Sequence, residues 1–172
     1  MTSVSETKVT ATYPIGNFVV PFSALPQTSA AGAVTWTAGT NTMASTYANA
    51  TFAVGQWVSG TGISVLKGAT AVTAGNATIT LATGTTGIQT GMYLNATGGW
   101  TAGVAPQVTA VAAGSVTVNI APTTTGSFNL TFCPYITALS STNPPYGTIT
   151  LNCNLPGSTT PGNLSFGSLH ST

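Results

Sequence analysis

The chain is almost free of charged side chains, and this limits the structures that it can form. Glu6, Lys8 and Lys67 are the only charged residues among 172. Glu, Lys and Arg are good helix formers, and no apolar residues recur at helical spacing over three turns, so the sequence offers little basis for α-helices. Alternating and β-branched runs between Gly, Pro, Asn and Ser clusters predict an all-β protein instead.

Strand signals recur along most of the chain. They predict an antiparallel β-sandwich or barrel of about ten short strands with an internal duplication. The expected strands cover residues 16–22, 33–37, 50–58, 69–73, 78–82, 92–94, 107–111, 115–120, 127–133 and 148–153. We expect one β domain over residues 33–154, between an extended N-terminal arm (1–32) and an irregular C-terminal tail (155–172).

The N-terminal arm combines apolar residues with prolines. Pro14, Pro21 and Pro26 interrupt the segment 13–26, so it cannot form a continuous ladder in the middle of its own sheet. We expect it to dock on a partner, and the alternative is that it forms the first edge strand of the domain. The apolar residues expected to dock are Ile15, Phe18, Val19, Val20, Phe22 and Leu25.

Two similar units occur within the expected β domain, at about residues 54–82 and 90–120. Each contains a strand, a Gly-rich corner and a predicted hairpin. The hairpin turn is Ala74-Gly-Asn in the first unit and Ala113-Gly-Ser in the second. One unit has too little apolar area to fold alone, so we expect the two to pack together as the core of a single domain.

The repeated pattern resembles repeats in structural proteins of tailed bacteriophages, among them capsid decoration (cement) proteins and fibre-like appendages. Residues 54–63 and 69–81 carry the resemblance, and residues 91–98 and 108–120 carry it more loosely. The second unit has Asn95-Ala-Thr-Gly-Gly where the first has Ser59-Gly-Thr-Gly-Ile. The resemblance implies a virion component with no catalytic residues to transfer.

Composition argues against several classes of function. The chain has no Asp or Arg, one Glu, and one His at position 170, so proton-transfer groups and metal ligands are scarce. We therefore expect no enzymatic activity, no cofactor and no metal. A formal charge of +1 gives no electrostatic basis for binding nucleic acid or a membrane surface.

Several single residues admit two interpretations. Trp36, Trp57 and Trp100 would suit a sugar-binding surface, but for Trp57 and Trp100, which lie within the repeats, we favour packing between the units. Lys67 is expected to be a solvated loop residue rather than a contact for a partner's carboxylate. Gly60-Thr-Gly62 is expected to be a turn rather than a phosphate loop, because no helix start or Lys-Ser/Thr follows.

The two cysteines allow either one disulfide or two free thiols. Alternation places Cys133 on the polar face of its predicted strand, whereas Cys153 continues the apolar face of its own. If both strands belong to one sheet, the sulfurs point to opposite sides. We therefore favour free thiols.

The lack of charge suggests a surface that is largely buried in a regular assembly, because uncharged side chains pack without the desolvation cost of ions. The N-terminus shows no signal peptide, and its Met1 fits assembly in a host cytoplasm. We expect a capsid decoration protein on the virion surface that binds between neighbouring subunits. Its partners would be the major capsid protein or copies of itself, as a homotrimer or larger assembly.

Two alternatives remain open at this point. One is a head or tail fibre protein that binds the host surface through Trp and Tyr positions. The other is a secreted filament or pilus subunit that polymerises by strand donation and is glycosylated.

Overall fold

The computed structural model describes residues 27–28, 34–46, 52–101, 104–141, 147–157 and 164–167, and in these parts the chain is all-β, as predicted. No helix occurs among these residues. Their strands are β1 (Gln27–Thr28), β2 (Val34–Trp36), β3 (Thr42–Ser45), β4 (Trp57–Ser59), β5 (Val65–Val72), β6 (Thr78–Thr80), β7 (Tyr93–Ala96), β8 (Val108–Ala112), β9 (Ser115–Val118), β10 (Gly126–Cys133), β11 (Ile136–Leu139), β12 (Gly147–Leu151) and β13 (Ser165–Gly167).

The strands form four small sheets, and every pairing between strands is antiparallel. Within the described parts of the chain none of the sheets closes into a barrel. The strand orders are β1-β13-β4, β11-β12-β3-β2, β5-β10-β7 and β6-β9-β8.

Buried apolar side chains form two clusters. Cluster 1 lies between the sheets β1-β13-β4 and β11-β12-β3-β2. Cluster 2 lies between the sheets β5-β10-β7 and β6-β9-β8. Cluster 1 contains Val34, Trp36, Met43, Phe52, Val58, Ile63, Ile136, Ile149, Leu151, Leu155, Leu164 and Phe166. Cluster 2 contains Val72, Ile79, Leu81, Ile88, Met92, Leu94, Val108, Val116, Val118, Leu130, Phe132 and Cys153.

In the sequence, most residues of cluster 2 lie between the two groups of residues that form cluster 1. Cluster 1 draws on residues 34–63 and 136–166, whereas cluster 2 draws on residues 72–132 together with Cys153. The first repeat unit contributes buried side chains to both clusters, and the second contributes them to cluster 2 alone. The two units meet where β6 pairs with β9, with Ile79 opposite Val116. They therefore contact one another without occupying equivalent positions.

The two predicted hairpin turns differ in the structure. The turn at Ala113 and Gly114 joins β8 to β9, which pair as the predicted hairpin. The turn at Ala74 and Gly75 instead connects β5 to β6 in different sheets. There the amide of Ala74 donates to Thr125 Oγ1 (2.9 Å) and that of Gly75 to the carbonyl of Pro122 (2.8 Å). Bonds to this third segment replace a hairpin, so the prediction for the first unit is wrong.

Several strand bounds also differ from the prediction. Among the described residues 52–58 of the expected run 50–58, strand begins only at Trp57, because the amide of Gly55 bonds to Ile136 O in an irregular connection. Strands β3 and β11 lie where no strand was expected, and the run 16–22 lies outside the described residues. In the expected tail, β13 is the central strand of its sheet.

Strand β13 also connects the N-terminal segment to the core. Its central residue, Phe166, is buried in cluster 1, with its ring centroid 4.5 Å from that of Phe52. Gln27 and Thr28 of β1 pair with Phe166 and Ser165. Residues 27–28 of the expected arm therefore form an edge strand.

The packing of Phe166 predicts a large loss of stability on truncation. Phe166→Ala should lower the free energy of unfolding by about 3–5 kcal/mol, because it leaves a cavity in cluster 1. Ser165→Ala, on the same strand with a partly exposed side chain, should change it by less than about 0.5 kcal/mol. Urea unfolding of both variants measures the difference, and equal small effects would contradict the central position of β13.

Candidate functional site

The expected docking residues cannot be placed in this fold. Residues Ile15, Phe18, Val19, Val20, Phe22 and Leu25 all lie outside the described residues, as do Glu6, Lys8 and His170. Across the described ranges, no three His, Cys, Asp or Glu side chains come close enough to hold a metal ion. The same ranges contain no helix of the length and hydropathy needed to cross a membrane.

Lys67 lies in a different place from the predicted loop. It is in strand β5 opposite Leu130 of β10, and its residue is only 8% exposed. Its aliphatic stem is buried beside the sheet, while its ammonium keeps contact with solvent and has no hydrogen-bond partner in the described structure. The predicted loop position is therefore wrong, and of the side chain only the ammonium group keeps the expected contact with solvent.

The Gly-rich corner of the first unit is a turn, as predicted. The amides of Ile63 and Ser64 both bond to Gly60 O. Gly62 has φ of 79° and receives a hydrogen bond from the amide of Gly157 at its carbonyl (3.0 Å). A Cβ on Gly157 would lie 2.8 Å from the Cα of Gly62, so the corner packs against backbone.

A cleft of about 320 Å³ lies where the two clusters meet. Strand β10 ends there, because Pro134 has no amide hydrogen to continue the ladder. The chain beyond it pairs with β4 through a bridge between Tyr135 and Trp57. The cleft is lined by Trp57, Tyr93, Leu94, Asn95, Ala96, Thr97, Gly98, Trp100, Thr101, Val104, Ala105, Pro106 and Cys133.

Trp57 forms one wall of the cleft and is held in place by a glycine. A Cβ on Gly167 would lie 1.8 Å from Trp57 Cε2, so the indole rests directly on the backbone of β13. Trp57 Nε1 has no hydrogen-bond acceptor in the described structure and keeps contact with solvent. The indole N–H of this lining residue is therefore unpaired in the described fold.

Tyr93 lies opposite Cys133 in the pairing of β7 with β10 and packs on a second tyrosine. Its ring centroid is 5.0 Å from that of Tyr135, with the planes tilted by 55°. Burial, assisted by the neighbouring Tyr135, raises the pKa of the Tyr93 phenol above its ordinary value. The hydroxyl stays neutral near pH 7, and no described residue bonds to it.

The third aromatic side chain is fixed by a hydrogen bond to the backbone. Trp100 Nε1 donates to Ile120 O at 2.8 Å, and the ring packs against cluster 2. Trp36, by contrast, is buried in cluster 1 and donates to Gly157 O at 3.1 Å. Trp57 and Trp100 thus meet in one cleft, whereas Trp36 is a core residue.

Both cysteines are free, as favoured from the sequence, but Cys133 is not on an exposed face. Cys133 is 1% exposed and Cys153 is 7% exposed. The polar face predicted for Cys133 is therefore wrong: the residue lines the cleft opposite Tyr93 of β7, and its side chain is buried there. Burial raises the pKa of Cys133 to about 12, against a smaller opposing effect of Ser59. Burial likewise raises that of Cys153 to about 11.

No protein-family model, curated protein or solved structure matches this chain.

The buried thiols predict a loss of stability at alkaline pH. From about pH 9 to pH 11 the thiols ionise in the unfolded chain but stay protonated in the fold. The unfolded state then binds fewer protons, so the free energy of unfolding should fall by about 1.4 kcal/mol per pH unit for each thiol. Urea unfolding across this range measures the slope, and Cys133→Ala should roughly halve it. A stability independent of pH in this range would contradict thiol burial.

The contact beneath Trp57 predicts that Gly167 cannot carry a side chain. Gly167→Ala should displace the indole, lower stability by about 1–3 kcal/mol and shift the tryptophan fluorescence. Gly68→Ala is the matched control, because a Cβ there has no atom within 4 Å. Unchanged fluorescence in Gly167→Ala would contradict this position for the indole.

Proposed function

We propose that this chain is a non-enzymatic structural protein of a virion, namely a capsid decoration protein that binds between neighbouring capsid subunits. Its partners are the major capsid protein or further copies of itself. The proposal rests on the uncharged surface of the chain, together with the repeat pattern that resembles phage structural proteins. The all-β fold agrees with this role but does not select it.

The observation that carries the proposal is the distribution of charge. Lys67 is the only charged side chain in the described parts of the chain, and only 8% of the residue is exposed. The exposed polar side chains there are uncharged, chiefly Thr, Ser and Asn. Uncharged groups can enter an interface without the desolvation cost of ions, whereas a free protein with so little charge tends to associate. A surface of this kind suits permanent burial in a regular assembly.

Exposed apolar residues on two outer strands add to this support. Leu66 on β5 is 69% exposed and Val111 on β8 is 38% exposed. Each strand has one paired neighbour in its sheet; the other edge of β5 has no strand partner among the described residues, and that of β8 is hydrogen-bonded at Val108 to Gly91 and Met92. An edge such as that of β5 accepts an added strand from another chain. The apolar, proline-containing segment 13–26 is the strand that we propose a neighbouring copy or capsid subunit receives.

Association should depend little on salt. With a single charged side chain in the described fold there is almost no Coulomb interaction to screen, and apolar burial is not weakened by NaCl. The protein should remain bound to empty capsids of its phage across a roughly tenfold rise in NaCl, measured by co-sedimentation. Release by moderate NaCl alone would contradict the proposal.

The arm is tested by a chain that begins at residue 27, compared with the full chain. Binding to empty capsids and the thermal unfolding of both chains are measured together. Lost binding with an unchanged unfolding transition supports docking through the arm. Retained binding, or a transition that collapses with the deletion, contradicts arm docking.

Mass spectrometry of purified particles separates the proposal from its alternatives. A decoration protein should be present in numbers comparable to the major capsid protein, and its chain should carry no hexose. A few copies for each particle would favour a fibre protein, and a hexose-modified chain from the culture medium would favour a secreted filament.

A further inference from the structure

We propose that the cleft between the two clusters binds a neutral saccharide of one or two pyranose rings. Nothing in the decoration role requires such a site, so the inference goes beyond the proposed function. It rests on the lining of the cleft: an aromatic platform, unpaired neutral hydrogen-bonding groups, and the absence of charge from the described lining.

The aromatic platform consists of Trp57, Tyr93 and Trp100. All three are partly exposed, so their rings offer apolar surface to a ligand in the cleft. The axial C–H bonds of a pyranose make one of its faces apolar, and this face stacks on an aromatic ring while the hydroxyls point outward. Indole and phenol rings also provide large contact area at low conformational cost, because each has only two side-chain torsions.

The polar groups of the cleft have unused hydrogen-bonding capacity. Trp57 Nε1 and the Tyr93 hydroxyl have no partner in the described structure, and the amide side chain of Asn95 is exposed at the rim. Together they supply donors and acceptors of the neutral kind that match sugar hydroxyls. A purely apolar ligand would cover these groups and leave them unpaired, which disfavours a lipid or hydrocarbon.

The lack of charged side chains in the described lining disfavours ionic ligands in the same cleft. None of its described lining residues is Lys, Arg, His, Asp or Glu, and the Cys133 thiol is protonated at neutral pH. An anionic or cationic ligand would lose hydration without meeting an opposite charge. The ligand is therefore neutral and rich in hydroxyls, and it has one apolar face.

The walls of the cleft are held by contacts outside it. Gly167 supports the Trp57 indole, Tyr135 packs on Tyr93, and Ile120 O accepts the hydrogen bond of Trp100. Little side-chain freedom is then lost when a ligand binds. The volume of about 320 Å³ is at the lower end of the range of about 300–1,000 Å³ for ligand pockets, which fits a small saccharide.

A glycan array followed by titration tests the site on the full chain. The array carries neutral oligosaccharides of glucose, galactose, mannose, rhamnose and N-acetylglucosamine beside sialylated and sulfated ones. We expect binding to at least one neutral oligosaccharide, with a dissociation constant on the order of 1 mM for the free sugar by tryptophan fluorescence and calorimetry.

Two matched variants locate the binding. Tyr93→Phe removes a hydroxyl from the cleft and should weaken binding about fivefold, the effect of one hydrogen bond. Tyr135→Phe removes a hydroxyl from the adjacent ring, which does not line the cleft, and should leave binding unchanged. Trp57→Ala should abolish the fluorescence response to sugar, with circular dichroism to verify the fold.

Three results would overturn the proposal. The first is an array with no neutral oligosaccharide bound. The second is sugar binding that is equal in Tyr93→Phe, Tyr135→Phe and the unmodified chain, which would place the sugar elsewhere. The third is binding of a synthetic peptide of residues 13–26 at the cleft without any sugar binding, which would assign the cleft to the arm of a neighbouring copy.

Discussion

The native state of this protein is stabilised by interactions between uncharged groups. The described structure contains one charged side chain, and that side chain forms no ion pair there. The fold is held together by apolar burial in two clusters and by the backbone hydrogen bonds of four sheets. At the connections between strands, neutral side chains provide further hydrogen bonds to the backbone. Asn119 Oδ1 accepts from the Gln107 amide at 2.7 Å, and Asn152 Oδ1 accepts from the Tyr135 amide at 2.8 Å. Asn and Thr therefore satisfy backbone groups in the connections between strands and also supply the uncharged surface.

The junction of the two clusters follows from the inserted topology. The chain leaves cluster 1 after Ile63 and returns to it at Ile136, and the return passes Pro134, where the β10 ladder stops. Trp57, on the outgoing side, bridges to Tyr135 on the returning side. The aromatic cleft is thus a consequence of the point at which the inserted segment rejoins the first cluster.

The sequence predicted element types better than their pairing. The alternating runs identified the class and most strands, and the Ala113-Gly-Ser turn gave a true hairpin. The Ala74-Gly-Asn turn has the same local signature, but its amides bond to residues 122 and 125, which no local pattern reveals. Strand β13 is short and follows a segment with Pro156 and Pro161, so its burial arises from long-range contacts with Phe52. The sequence offers Trp57 and Trp100 for a sugar-binding surface but favours packing between the units, and their meeting with Tyr93 depends on the insertion.

The central claim is that the native state is stabilised without charge, and acid unfolding tests it most directly. Proteins usually unfold in acid because carboxylates that are paired in the native state become protonated. This chain has a single carboxylate side chain, Glu6, so that cause is nearly absent. The thermal midpoint, measured by circular dichroism, should stay within about 2 °C from pH 7 down to about pH 3. A cooperative loss of structure between about pH 5 and pH 3 would show that ionised groups hold the fold together, and would contradict the account.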